Sequence, residues 1–389
     1  MLHAVSLPGT TPSLKAPEAL EGTIMEPSNG LSVPTWDNEY VRILRELEAQ
    51  GSDVETTTRG RTRELLSYQF HLANPRDRVV FNPVREFNIF QTIGLWLCMT
   101  AGRSDYGFLN YYHPWTTQFS ADLRQVEGAY GPRLFGAGAN RQIPRCIETL
   151  RTRPASRQVI AMVYDAVLDA HRHKQENRVG EVPCTISLQF FLRDDRLHCV
   201  TNMRSQEAVF LLPQDVFHFT LFQEFIAASL GVEMGTYHHH CGSIHNYEKR
   251  RISPATVIDA PPGFRAPMPA MEPGDQMPHL LRVLTLEERI RINALDFVAQ
   301  KARRSLDSAH HFREARDLPA FWRSVVHACI GQAAYYTGEK DVLREYTPKV
   351  DAWLHPFFRK ACELKGGEKL LDNYGLIPGY EPTQSQPST

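Results

Sequence analysis

Cys184 is the residue with the most chemistry in its immediate neighbourhood. It follows Pro183 at the start of a strand-like run, and a thiol becomes a nucleophile as its thiolate. Arg204 and Ser205 come at the far end of the next strand-like run. If the residues between fold as a hairpin, the guanidinium returns beside the sulfur. A cation there favours the thiolate, and its fork of N–H donors suits a phosphate. Taken singly, a cysteine is more often a small buried apolar side chain and an arginine a solvated charge. His245 and Tyr247 are two apart, so on a strand they face the same side. Such a pair suits a sugar hydroxyl as well as it suits a polar sheet surface.

Two further runs draw the eye. In His238-His239-His240-Cys241 only His238 and His240 share a face of a strand, and no clustered partner lies elsewhere in the sequence, so no metal site is expected. Tyr111-Tyr112-His113-Pro114-Trp115 offers a stacking surface for a flat ligand, or simply core.

The elements that must position these residues follow from pattern. Thr185 to Leu192 and Leu197 to Met203 are β-rich, with Asp194-Asp195 as the turn between them. Asp215 is expected to open a long apolar helix that runs to about Leu230 and closes at Gly231. Tyr237 to Tyr247 reads as a strand. Upstream, a helix is expected over Asp37 to Gln50, capped near Thr35 and Asp37 and closed by Gly51. Loop and strand follow over 52–79, and a buried helix over 84–102. Domain boundaries follow: a disordered arm over 1–35, a catalytic domain over 36–252, a Pro-rich linker over 253–279, a helical extension over 280–379 and a disordered tail over 380–389.

Bulk properties narrow the partners. Lys and Arg number 43 against 44 Asp and Glu, a net charge of −1, with 42% hydrophobic residues. That balance gives no electrostatic reason to expect nucleic acid or a membrane surface, so any phosphate must be held by a local arginine cluster. The seven cysteines are scattered and never form C-x-x-C, which points to a reducing compartment and places the chain in the cytoplasm. No apolar run approaches the ~20 residues a membrane helix needs.

Pro183-Cys184, Gln189-Phe190, Arg204-Ser205, Pro213, Asp215, Gly242, His245 and Tyr247 together resemble the catalytic half of thymidylate synthase. The spacing matches without a gap from Cys184 to Tyr247. Weaker matches upstream are Trp96 and Trp115, Tyr130-Gly131 and Ser156-Arg157, so the resemblance covers roughly residues 55–250. It implies an α+β fold on a twisted mixed sheet with helices, followed here by a C-terminal helical extension, and a homodimer formed through the sheet. It implies that Cys184 adds to C6 of a pyrimidine nucleoside monophosphate. C5 then attacks the methylene of 5,10-methylenetetrahydrofolate, the co-substrate. Arg204 and Ser205 would hold the phosphate, with Arg157 reaching it from the partner subunit and Arg59 closing over it. His245 and Tyr247 would hold the ribose. Gln189 and Tyr130 complete the nucleotide site, and Trp115 and Glu207 line the folate side.

Departures from the family pattern select a branch. Asp215 stands where the family has the Asn that reads uracil. A carboxylate accepts from the N4 amino group of cytosine, and if protonated donates to N3. Members with Asp here resemble the cytidylate (CMP or dCMP) 5-hydroxymethylases, in which water rather than hydride completes the reaction. The same residue would also serve as a helix cap. Ile93 occupies the position of the family's essential Glu, for which Glu86 and Gln91 are the nearest candidates. Glu207 replaces an Asp, Gln158 an Arg, Thr185 a His, Met203 a Gln and Ser243 an Asp. The expected activity is 5-hydroxymethylation of CMP or dCMP. The alternatives are dTMP synthesis from dUMP and a non-catalytic nucleotide-binding relative.

Overall fold

Helix α1, Trp36–Gln50, carries a stripe of buried Trp36, Tyr40, Ile43, Leu44 and Leu47, the spacing that puts one face of a helix into a core. The computed structural model describes residues 35–56, 60–85, 87–120, 122–170, 182–248, 252–299 and 308–363. The N-terminal arm apart from Thr35, Arg59, Glu86 and the C-terminal tail lie outside these residues. Thr35 alone caps α1, its hydroxyl accepting from the Asn38 amide at 3.2 Å. Asp37, also expected to cap, instead accepts from the amide of Phe81 at 3.0 Å.

Two strands follow, β1 (Ser52–Thr56) and β2 (Gly60–Leu72). Then come helices α2 (Ile89–Thr100), α3 (Tyr106–Tyr112), α4 (Gly131–Leu134) and α5 (Gln142–Thr152). The remaining strands are β3 (Ile160–Met162), β4 (Thr185–Arg193), β5 (Arg196–Met203), β6 (Gln206–Glu207) and β7 (Glu233–Tyr247). Helix α6 (Leu211–Leu230) lies between the last two. The sheet has seven strands in the order β1-β2-β7-β5-β4-β3, with β6 beside β7. It is mixed: β5 and β6 run parallel to β7, and the other pairs are antiparallel. The hairpin β4–β5 turns at Asp194 and Asp195, both with positive φ (50° and 55°), which matches the right-handed twist of the strands it joins.

Helix α6 is buried on nearly every side, so it lies inside the molecule, between the sheet and further helices. Above it lies α2, whose Trp96 packs on Phe222 of α6 at 6.1 Å between ring centroids. The C-terminal helices α8 (Met277–Val298) and α10 (Ala320–Thr337) complete that layer. Trp322 of α10 meets Trp96 at 6.0 Å. Short helices α7 (Pro254–Ile258), α9 (Ser308–Ala315), α11 (Lys340–Tyr346) and α12 (His355–Glu363) fill the edges. One apolar core runs from Trp36 to Ala361 through all of these elements except β1 and β6.

Three helices start several residues from the sequence expectation, each for a local reason. Helix α2 starts at Ile89 rather than near 84, because Asn82 draws the amides of Val84 and Arg85 into a turn, both at 3.0 Å. Asn88 then caps the helix by accepting from Gln91 at 3.1 Å. Helix α6 starts at Leu211, four residues before Asp215, because Glu207 accepts from the amides of Phe210 (2.7 Å) and Leu211 (2.9 Å). Asp215 is therefore not its cap. Helix α8 starts at Met277, inside the Pro-rich stretch, with Pro278 in its first turn, where a missing N–H costs nothing. Before it, residues 260–276 run without helix or strand but bury Met268 and Met271.

Candidate active site

The β4–β5 hairpin does what the sequence required of it. Cys184 immediately precedes β4 and Arg204 immediately follows β5, and the Arg204 amide donates to the Cys184 carbonyl at 2.8 Å. The guanidinium turns over the same end. It donates to the carbonyls of Pro183 (2.9 Å) and Val182 (2.7 Å), and one nitrogen lies 3.6 Å from Cys184 Sγ. Cys184 is half-buried and Arg204 exposed, so a ligand can reach both. A guanidinium at that distance stabilises negative charge on sulfur.

The next strand over supports this end. Gly242 of β7 lies so close to the Arg204 backbone that a Cβ would come within 2.9 Å of its carbonyl oxygen. A side chain there would push the two strands apart. Three residues further along β7, about 10 Å at strand spacing, His245 and Tyr247 project on one face with ring centroids 5.0 Å apart. The His245 carbonyl accepts from Ala208 at 2.8 Å, tying this part of β7 to the turn before α6.

Tyr130 supports the same end of the hairpin. Its hydroxyl accepts from the Thr185 hydroxyl at 3.1 Å, next to Cys184. Burial holds the phenol well above its ordinary range, and the charges of Asp215 and Cys184 add to that. Asp215, in the second turn of α6, accepts from Gln206 Nε2 at 2.9 Å. Burial pushes its carboxyl up to about 7, the Gln206 hydrogen bond opposes the rise, and the neighbouring charge of Glu207 adds to it. Cys184, Arg204 and Tyr130 thus meet at the end of the hairpin, with Ser205 half-buried beside them, and the Tyr130 phenol feels the charges of both Cys184 and Asp215.

Gln189 and Arg157 lie apart from the thiol. Gln189 is five residues along β4, roughly 16 Å from Cys184 at strand spacing, and donates to the Arg157 carbonyl at 2.9 Å. The Arg157 side chain is exposed. Glu207 is 3% exposed, and its oxygens are engaged by Val209, Phe210 and Leu211. Trp115 lies in a 3-10 segment, Pro114–Phe119. Ile93 is buried at 1% exposure and brings no carboxylate. Gln91, also buried, instead pairs with His113 Nδ1 at 3.0 Å, and burial lowers that imidazole to about 4. Among the described residues no three His, Cys, Asp or Glu side chains group as metal ligands.

Sequence reasoning missed two supports. Buried Arg85 donates to the carbonyls of Val209 and Phe210, both at 2.6 Å, and Tyr40 donates to Val209 at 2.7 Å. Together they pin the turn that starts α6. Tyr237 and His239 of β7 reach Gln206, and so Asp215, through a file of hydrogen bonds. Their alternation with Cys241 marks one strand face in the sequence, but only the neighbouring β6 supplies the partner.

A family model described as thymidylate synthase matches residues 38–274, more than half of the chain. The deoxyuridylate hydroxymethyltransferase of Bacillus phage SP01 is 30% identical over 219 residues, covering 54% of this chain and 56% of the phage protein. A putative thymidylate synthase of Methanocaldococcus jannaschii is 25% identical over 219 residues, covering 56% of this chain and 90% of that protein. Against the phage enzymes, the chain spans only about half of their length. The solved thermostable thymidylate synthase A of Bacillus subtilis superposes with a TM-score of 0.50 at 21% identity, over 60% of this chain and 87% of that one. That likeness concerns the fold.

Proposed function

The chain belongs to the thymidylate synthase family, and from that membership we propose that it is a transferase. It moves a one-carbon unit from 5,10-methylenetetrahydrofolate to C5 of a cytosine nucleotide, giving the 5-hydroxymethyl product. The observation that carries the reading is the Cys184 sulfur, open to ligand and 3.6 Å from the Arg204 guanidinium.

In this mechanism the Cys184 thiolate forms a bond to C6, and the C5–C6 electron pair becomes nucleophilic at C5. C5 bonds to the methylene of the folate, then loses its proton. Tetrahydrofolate departs, water adds to the exocyclic carbon, and Cys184 is expelled from C6. Arg204 leaves its backbone carbonyls for the nucleotide phosphate, which offers charge-assisted bonds in place of neutral ones. Ser205 adds a hydroxyl to the phosphate, and His245 and Tyr247 meet the ribose. Asp215 accepts from the N4 amino group. A buried acceptor left unpaired against uracil O4 would cost about 1–3 kcal/mol, which sets the direction of the preference. Water as the terminal nucleophile is supported by the hydroxymethyltransferase relatives.

The chain acts as a homodimer through the sheet face away from α6. That face carries Leu66, 73% exposed, with half-buried Ile186 and Val200, an apolar surface in want of cover. Arg157, at the far end of β4, then serves the partner's phosphate site.

A second reading is 5-hydroxymethylation of dUMP. It is favoured by the names of the phage relatives and by a carboxyl raised to about 7, which when protonated donates to O4 as an amide does. Incubation with C5-tritiated CMP, dCMP and dUMP, with and without the folate, separates the cases. Tritium release and hydroxymethyl product from a cytosine nucleotide are expected. Release from dUMP alone would favour the second reading, dihydrofolate production would mean dTMP synthesis, and no release from any nucleotide would mean a binding protein.

A further inference from the structure

Behind Asp215 lies a file of three buried polar side chains that the chemistry above leaves unused. Gln206 Nε2 donates to Asp215 Oδ2 at 2.9 Å and also approaches the Glu207 carbonyl at 3.3 Å. Gln206 Oε1 is 3.1 Å from His239 Nε2, and His239 Nδ1 is 2.7 Å from the Tyr237 hydroxyl. Gln206 is 1% exposed, His239 and Tyr237 fully buried. The direction of the file follows from donor and acceptor parity. An ionised carboxyl cannot donate, so Gln206 must present its NH₂ to Asp215 and its carbonyl to His239. That carbonyl needs an N–H, so Nε2 carries the one proton of the imidazole, which burial keeps neutral by lowering it to about 3. Nδ1 is then an acceptor, and the Tyr237 O–H fills it.

We infer that Gln206 is a positioning residue for base selection: aimed by His239 and Tyr237, its amide keeps Asp215 an acceptor toward the pyrimidine edge, the state that pairs with an exocyclic amino group. This rests on the cytosine reading above. Without the amide donor the carboxyl holds its proton to higher pH, and a protonated carboxyl donates to O4 of uracil. The titratable groups around Asp215 are Glu207 of β6, Tyr130 ahead of α4, and Tyr237 and Cys241 of β7. Burial raises the two phenols and the Cys241 thiol, so they stay neutral where Asp215 titrates, and the Glu207 carboxylate is tied to backbone amides.

The test measures dCMP and dUMP binding by calorimetry, over a pH series spanning about 7, for the native chain, Gln206→Met and Tyr237→Phe. Gln206→Met is expected to lower the dCMP-to-dUMP affinity ratio about tenfold and to move the pH midpoint of dCMP binding upward. Tyr237→Phe, which loses only a hydroxyl and keeps the packing, should shift both in the same direction by less. If either variant weakens both nucleotides equally, with ratio and midpoint unmoved, the positioning role is overturned. A native chain that prefers dUMP would sink the cytosine reading, whereas the role of Gln206 still stands or falls on whether its loss moves the midpoint.

Discussion

Arg204 shows how one side chain can serve two states. Its guanidinium rests on two backbone carbonyls and the Cys184 sulfur, contacts that a phosphate would replace with a charged pair. Arg204→Leu should raise the KM for nucleotide by roughly 10- to 100-fold in steady-state assays, the worth of one or two charge-assisted hydrogen bonds. Asp215 carries a second prediction, about stability. Its carboxyl is raised from 3.8 to about 7 in the folded chain, so between those pH values the folded state binds more protons than the unfolded one. Stability therefore falls as pH rises through that interval and levels off above it. Asp215→Asn cannot ionise. It should melt at a higher temperature than the native chain above about 7, and the difference should fade toward 3.8, as scanning calorimetry at several pH values would show. The same variant should turn base preference toward uracil.

Helix α2 is the element that fits the catalytic layer to the helices above it. Gly94 lets the Tyr112 ring approach so closely that a Cβ would lie 2.0 Å from it. Gly94→Ala is expected to cost about 1–3 kcal/mol by overpacking, read from urea unfolding. What could be foreseen in the sequence divides along the same lines. The β4–β5 hairpin was legible because Asp194-Asp195 separates two β-rich runs, and local turn chemistry fixed its register. So were Cys184 and Arg204 at its open end, because a hairpin returns its ends to one place. The start of α6 was not, since Asp215 has the chemistry of a cap while Glu207, four residues before Leu211, does the capping. The buried file from Tyr237 to Asp215 was not legible either, because it joins β7, β6 and α6 through tertiary contact.

At the scale of the molecule, the C-terminal helices share the core of the sheet. Trp322 touches both Trp96 and Phe225, and Tyr112 of α3 donates to buried Glu287 of α8 at 2.9 Å. Trp322→Ala should cost about 3–5 kcal/mol, and because that core is continuous it should lower the melting temperature seen by nucleotide binding as well as by helix content. The whole chain also provides the most direct reading of its chemistry. A 5-fluoro-pyrimidine nucleotide blocks loss of the C5 substituent, so a covalent adduct at C6 cannot proceed once the folate has joined. Intact-mass spectrometry of the chain mixed with 5-fluoro-dCMP and methylenetetrahydrofolate should show an increase equal to both molecules together, absent in Cys184→Ser. An unchanged mass in the native chain, or the same increase without the thiol, would contradict catalysis through Cys184.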